Sequence, residues 1–378
     1  MNRRPLRLSV SVLVVFLSYL PIGAASAPKI RLLSGGHYLA YLAIDLAEYS
    51  GLFSKYGLDV AVTTVRGGTE QALSLIAGQA DFALLGAEHA IKAQLQGKHL
   101  ALLGLVGRTP TQMLVASPKT RCSQPAALKG CRVAVSGLGS LSHMMLLAIL
   151  KKEGLAAADV EVLPMRYPAA VAALEQGAID AAMLVDPLAS QVVAAGKGIV
   201  LVDLVRAEGV KALFGVDHPS SILVAREEYC QAAPALCSAM LASLMEANAE
   251  ILSRESKVLF SRFPTEVTGD EKSFVESLEH GRGYFTTDSA LTPQMIQLVV
   301  ESMRSVNAIP ADAAVDVQRL LVFAGGSPKS RPPTTESADT PSARLLVITV
   351  GLGLLLLIGG GVLVVRRHRG GRHERREF

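Results

Sequence analysis

The sequence predicts an α/β fold of two similar lobes joined by two hinge crossings, followed by one C-terminal transmembrane helix. Three observations carry this expectation. From residue 28 onward, short β-branched runs alternate with amphipathic helical stretches, the pattern of crossover units and mostly parallel sheets. A shift of 99 residues lays Leu75, Gly78, Asp81, Ala83, Leu85, Ala90, Gly97, Lys98 and Leu102 onto Leu174, Gly177, Asp180, Ala182, Leu184, Ala189, Gly196, Lys197 and Leu201, without a gap. Residues 345–365 form an unbroken uncharged stretch, long enough to cross a bilayer.

The segments follow in order. Residues 1–27 open with Arg3, Arg4 and Arg7, run through LSVSVLVVFLSYL and leave on small residues, as a secretory signal peptide does. The body then reads KIRLLSG as a strand and HYLAYLAIDLAEYSGLF as a helix with its apolar face at Leu39, Leu42, Ala43 and Leu46. LDVAVTTV is a strand, TEQALSLIAGQ a helix, ADFALLG a buried strand, EHAIKAQLQGK a helix and HLALLGLV a strand. After Pro118 the pattern resumes with CRVAVSG, SLSHMMLLAILKKEG, VEVLPM, PAAVAALEQGA, IDAAMLVD, PLASQVVAAGK and GIVLVDLV, and residues 227–324 are mainly helical. Residues 28–116 and 222–324 are expected to form lobe 1, and 117–221 lobe 2. Gly78 and Gly177 suit the left-handed position that ends a helix. Residues 325–344, rich in Pro, Ser and Thr, read as a flexible linker, and 366–378 as a basic cytoplasmic tail, because basic residues collect on that side of a membrane.

Composition excludes several classes. Half of the 378 residues are hydrophobic, which excludes a disordered chain. The formal charge of +4 comes from the two ends, and residues 28–343 are mildly acidic, so no nucleic-acid footprint is expected. Of the three pairings four cysteines allow, loop closure favours Cys122 with Cys131 and Cys230 with Cys237, two disulfides suited to an exported protein. No histidine pair has metal-ligand spacing and no nucleophile elbow occurs. The expectation is therefore no enzyme, no catalytic residue, no metal and no cofactor.

The pieces GLFSKYGLDV, AGQADFALLG, VAVSGLGSLSHMM, LEQGAIDAAMLVDP and His37-x-x-x-Tyr41-x-Ala43, in that order, resemble one family. It is the extracytoplasmic solute-binding proteins of ABC importers, in the group that takes nitrate, taurine, aliphatic sulfonates and thiamine pyrimidines. The resemblance covers roughly residues 28–325. It implies a periplasmic-binding-protein-like fold of type 2, a small-molecule ligand in the interlobe cleft, and ABC permease and ATPase partners. The C-terminal span departs from the family pattern and would tether the protein to the membrane with its body outside the cytoplasm. Two alternatives stand beside this: a ligand sensor signalling through a partner, and an enzyme of thiamine-pyrimidine synthesis. The fungal enzymes of that kind carry a tight Cys cluster for iron, which this chain lacks.

In open α/β lobes ligands sit beyond the carboxyl ends of strands, where helix N-termini present free N–H groups. That rule, together with the resemblance, nominates Ser34, Gly36 and His37 after the first strand, Gly67, Gly68 and Thr69 after the second, and Gly86, Ala87 and Glu88 after the third. In the second lobe it nominates Ser136, Gly137 and Ser140, then Tyr167, then Asp186. Arg108 is a candidate partner for an anionic ligand, and Glu88 and Asp186 for an amine. Each also has a structural reading: the glycines as tight turns, Thr69 and Ser140 as helix caps, and Arg108 as a surface residue.

Overall fold

The structure, a computed structural model, describes residues 29–325. The expected signal peptide, span and basic tail, and the linker beyond Gly325, lie outside these residues. The chain begins with β1 (Ile30–Ser34), α1 (Leu42–Tyr49), α2 (Leu52–Lys55), β2 (Val60–Thr64), α3 (Gly68–Ile76), β3 (Phe82–Leu85), α4 (Ala87–Leu95) and β4 (Leu100–Gly107). It continues with β5 (Gln112–Ala116), β6 (Arg132–Val135), α5 (Leu141–Lys152), β7 (Glu161–Pro164), α6 (Tyr167–Glu175), β8 (Ala181–Val185), α7 (Leu188–Ala194), β9 (Ile199–Asp203) and α8 (Ala207–Phe214). Then come β10 (Ser221–Arg226), α9 (Glu227–Ala232), α10 (Pro234–Ser253), α11 (Ser256–Phe260), α12 (Thr265–Thr268), α13 (Glu271–Gly281), α14 (Pro293–Ser305) and α15 (Val317–Leu320).

These strands build two five-stranded sheets with matching order, β2-β1-β3-β10-β4 and β7-β6-β8-β5-β9. In each, one strand runs antiparallel to its neighbours: β10 against β3 and β4, and β5 against β8 and β9. The chain changes sheet between Gly107 and Gln112 and returns before Ser221. This corrects the expected boundary after residue 116. The segment Gln112–Ala116 falls within the bounds expected for lobe 1, but its backbone pairs Met113 with Leu184 and with Asp203, so it belongs to the second sheet.

Both central strands read as continuous apolar runs because helices cover both faces of each sheet. In the first sheet Leu32, Phe82 and Leu84 pack with α1 and α10, and Leu33, Ala83 and Leu85 pack with α3, α4 and α14. By length and composition α10 could cross a membrane, the one such helix among the described residues, yet it buries Met240, Leu244, Ala247 and Ile251 in this core. The expected first helix starts later than its periodicity suggests: Leu39–Tyr41 form a 3-10 turn, and Leu39 donates its N–H to the Asp186 carbonyl 3.1 Å away.

The internal repeat has a physical basis at Asp81 and Asp180. The Asp81 carboxylate accepts from the Arg31 backbone N–H at 2.9 Å and its guanidinium at 2.7 and 3.1 Å, fastening β1 to the start of β3. Asp180 does the same for Arg132, at 2.9, 3.0 and 3.2 Å, fastening β6 to β8. Gly78 and Gly177 have φ of 70° and 71°, the left-handed helix ends expected of them. Both expected disulfides are present, Cys122–Cys131 and Cys230–Cys237.

Candidate functional site

The first turns of four helices meet at one cavity between the two sheets. Gly67 and Gly68 begin α3, Gly86 caps α4, Ser140 and Leu141 begin α5, and Tyr167 is the first residue of α6, and all of them line the cavity. Each helix start presents backbone N–H groups that lack a partner within the helix and carries the positive end of the helix dipole. Four of them, two from each sheet, make a region of positive potential with no lysine or arginine side chain in the wall.

Hydroxyls and uncharged polar groups fill the wall between them. Ser136 Oγ lies 3.1 Å from Ser140 Oγ and 2.9 Å from Ser142 Oγ, and Ser140 donates to the Gly137 carbonyl at 2.7 Å. Tyr41 lines the floor and accepts a hydrogen bond from Gln71 Nε2 at 2.9 Å, and burial raises its pKa. Tyr38 from the first sheet meets Tyr167 from the second edge-to-face, with centroids 5.3 Å apart. Thr111 and Gln112, and Ser220 and Ser221, bring both sheet-to-sheet passages into the wall.

Glu88 and His89 are the unusual members. Both are buried in the wall, with Glu88 Oε1 3.5 Å from His89 Nε2 and without a hydrogen-bond partner. Burial pushes the Glu88 carboxyl up to about 7 and the His89 imidazole down to about 3, so the histidine is neutral throughout the physiological range. Two glycines make room for these side chains. A Cβ at Gly86 would stand 2.0 Å from Glu88 Oε2, and one at Gly68 would stand 2.6 Å from His89 Nε2. Gln112 Oε1 is a second buried acceptor without a partner. The wall therefore offers N–H donors at the helix starts and unmatched acceptors at Glu88 and Gln112.

Of the residues nominated from sequence, Gly67, Gly68, Gly86, Glu88, Ser136, Ser140 and Tyr167 come together here. Ser34 instead bonds to Gly36, each within 3.2 Å of the other, and Gly36 lines a neighbouring groove. His37 lies in a separate groove, its Nδ1 3.0 Å from Asp45 Oδ1, and that hydrogen bond raises its pKa. Thr69 donates to the Leu138 carbonyl at 3.4 Å, joining the two halves at the rim beside Gly137, and Ala87 is packed in the core.

Two expectations need correction. Arg108 is exposed and lines a different cavity with Lys211 and Asp217, because β4 ends before it and its backbone N–H is taken by the Tyr284 carbonyl. Asp186 is wholly buried outside the main cavity, and its carboxylate accepts from Ser190 N–H at 3.1 Å, from Ser190 Oγ at 2.7 Å and from His280 at 2.8 Å. It has no free oxygen for a ligand. Sequence reasoning missed His89 and Gln112. His89 directly follows a nominated residue, and Gln112 became legible only once β5 joined the second sheet.

Residues 40–255 match the family described as NMT1/THI5 like, over more than half of the chain. The chain belongs to the NMT1/THI5-like family. Among its relatives, YtlA of Bacillus subtilis is 29% identical over 126 residues, which is 33% of this chain and only 38% of that protein. A protein of Escherichia coli named for binding aliphatic sulfonates is 27% identical over 238 residues, 62% of this chain and 70% of its own length. A solved structure from Bordetella bronchiseptica superposes with a TM-score of 0.72 at 25% identity, covering 79% of this chain and 95% of that one. The alkanesulfonate-binding protein SsuA of Xanthomonas axonopodis, solved with MOPS bound, superposes with a TM-score of 0.66 at 21% identity, covering 78% and 99%. The family match and these superpositions give the chain the two-lobed α/β fold shared by those structures.

Proposed function

We propose that the protein captures a small organic sulfonate bearing an amine, and delivers it to the permease of an ABC importer from outside the cytoplasm. The convergence of four helix starts on one cavity carries this reading: it favours an oxyanion held by backbone N–H groups and the Ser136, Ser140 and Tyr167 hydroxyls. Glu88 then faces the amine at the other end of the ligand. The names of the Escherichia coli and Xanthomonas relatives support a sulfonate. The apolar stretches at 1–27 and 345–365 support export and a membrane tether. In this reading the segments near Arg108–Thr111 and Gly215–Ser220 serve as the hinge.

A thermal-shift panel of taurine, alkyl sulfonates, nitrate, bicarbonate, aromatic carboxylates and aminopyrimidines tests it. A ligand at about a hundred times its Kd stabilises the fold by roughly 2.7 kcal/mol, several degrees in a protein of this size. Taurine should shift the melt most. Glu88 also sets the pH dependence. Above pH 7 its charge opposes a plain alkyl sulfonate, whose affinity should fall, while taurine should keep its affinity. Glu88→Gln should weaken taurine binding at pH 8 by about tenfold or more, the worth of a charged hydrogen bond. A flat panel on folded protein, or a shift confined to aminopyrimidines, would sink the sulfonate assignment.

A further inference from the structure

Where the two halves meet beside the cavity, His280 near the end of α13 reaches between two carboxylates. Its Nδ1 is 2.8 Å from Asp186 Oδ2 and its Nε2 is 2.8 Å from Asp203 Oδ2. Both carboxylates belong to the second sheet, Asp186 just after β8 and Asp203 at the end of β9. The histidine belongs to the other half. Arg282, two residues on, donates to the Ile251 carbonyl in the last turn of α10 and to the Arg254 carbonyl just after it, the Tyr284 hydroxyl donates to the Ala40 carbonyl at 3.1 Å, and Phe285 bridges to Gly107 of β4. With a carboxylate on each ring nitrogen, both nitrogens must be donors, so the ring is an imidazolium.

We propose that His280 is the latch of the closed cleft, a positioning residue that holds the two halves together only while it is protonated. Other contacts cross the cleft nearby, among them Leu39 N–H to the Asp186 carbonyl and Lys92 Nζ to the Gly139 carbonyl at 3.0 Å. None of these loses its charge near neutral pH in the way a histidine does. The charged groups around the latch are few. Arg206 Nε is 3.9 Å from Asp203, Glu279 pairs with Arg282, Lys257 pairs with Glu271, and His37 pairs with Asp45 in the adjoining groove. The two carboxylates hold the His280 proton up to about 9 in this arrangement. When the halves separate, the ring returns to the ordinary value near 6.5. Closure is therefore fully favoured below about pH 6.5 and is lost as pH rises toward 9, by up to tenfold per unit.

Electron spin resonance on the full chain tests this without any ligand, so it stands or fails apart from the sulfonate reading. Labels at Leu73→Cys and Leu138→Cys, both exposed and on opposite halves, report the distance across the rim, since all four native cysteines are in disulfides. The wild-type closed-to-open ratio should fall at least tenfold from pH 6.5 to pH 9.5. His280→Gln should start low at pH 6.5 and not change. Asp203→Asn, at a partly exposed position, should lower the ratio at pH 6.5 and carries the test if His280→Gln does not fold. A variant that keeps the wild-type ratio at pH 6.5, a His280→Gln protein that keeps the wild-type pH dependence, or a wild-type protein that stays open at pH 6.5 would each overturn the latch.

Discussion

At the scale of single residues, Glu88 concentrates the chemistry of the cavity. Its folded pKa stands above the ordinary glutamate value, so the folded state resists its ionisation. The stability tied to this group is intact below about pH 4.5 and is lost as pH rises through about 7, a difference of roughly 3 kcal/mol. Glu88→Gln should therefore melt several degrees above wild type at pH 8 and close to it at pH 4.5. Equal melting differences at the two pH values would show that the carboxyl does not carry this cost. Glu88 was legible in the sequence because it follows a buried strand by three residues. Its neutrality was not, because that depends on a wall built from both sheets.

At the scale of elements, the repeat and the disulfides each have a measurable role. Asp81 and Asp180 occupy equivalent places, but their side chains are 7% and 21% exposed, and Asp81 also faces Arg226 at 3.5 Å. Asp81→Asn should thus cost more than Asp180→Asn, roughly 1–3 kcal/mol against a smaller loss, in urea unfolding. The reverse order would mean that the two clamps are not equivalent in energy. Each disulfide closes a loop of about ten residues, which the chain-entropy relation values at roughly 2–3 kcal/mol. Replacing Cys230 and Cys237 by serine should lower stability by that amount with the fold intact. Most helices and strands could be read from periodicity alone. The strand Gln112–Ala116 was misassigned because an apolar run shows that it is a strand but not which sheet receives it.

At the scale of the molecule, the two halves make two different kinds of contact. The cavity brings unmatched donors and acceptors together, which a ligand can satisfy. The His280 latch is already satisfied, with its three charges at hydrogen-bond distance. Ligand affinity should therefore carry two separable pH dependences. One is set by Glu88 near pH 7 and disappears in Glu88→Gln. The other runs from about pH 6.5 to 9 and disappears in His280→Gln. Titration of a plain alkyl sulfonate against wild type and both variants across this range separates them, and a single shared dependence would show that one group controls both.

The sequence by itself determined the α/β class, the doubled lobe, the pairing of the cysteines and the loops from which the cavity is built. Those features rest on local periodicity, on short loop closure and on the rule that strand ends face the ligand, all of which act within a few tens of residues. The tertiary structure alone decided which nominated residues meet. Asp186 and Arg108 sit on the expected loops, yet one turns to His280 and the other to solvent. His280, 94 residues beyond Asp186, had no signal in the sequence. Side-chain direction at a loop depends on what packs against it from the rest of the chain, and burial then sets which groups keep their charge.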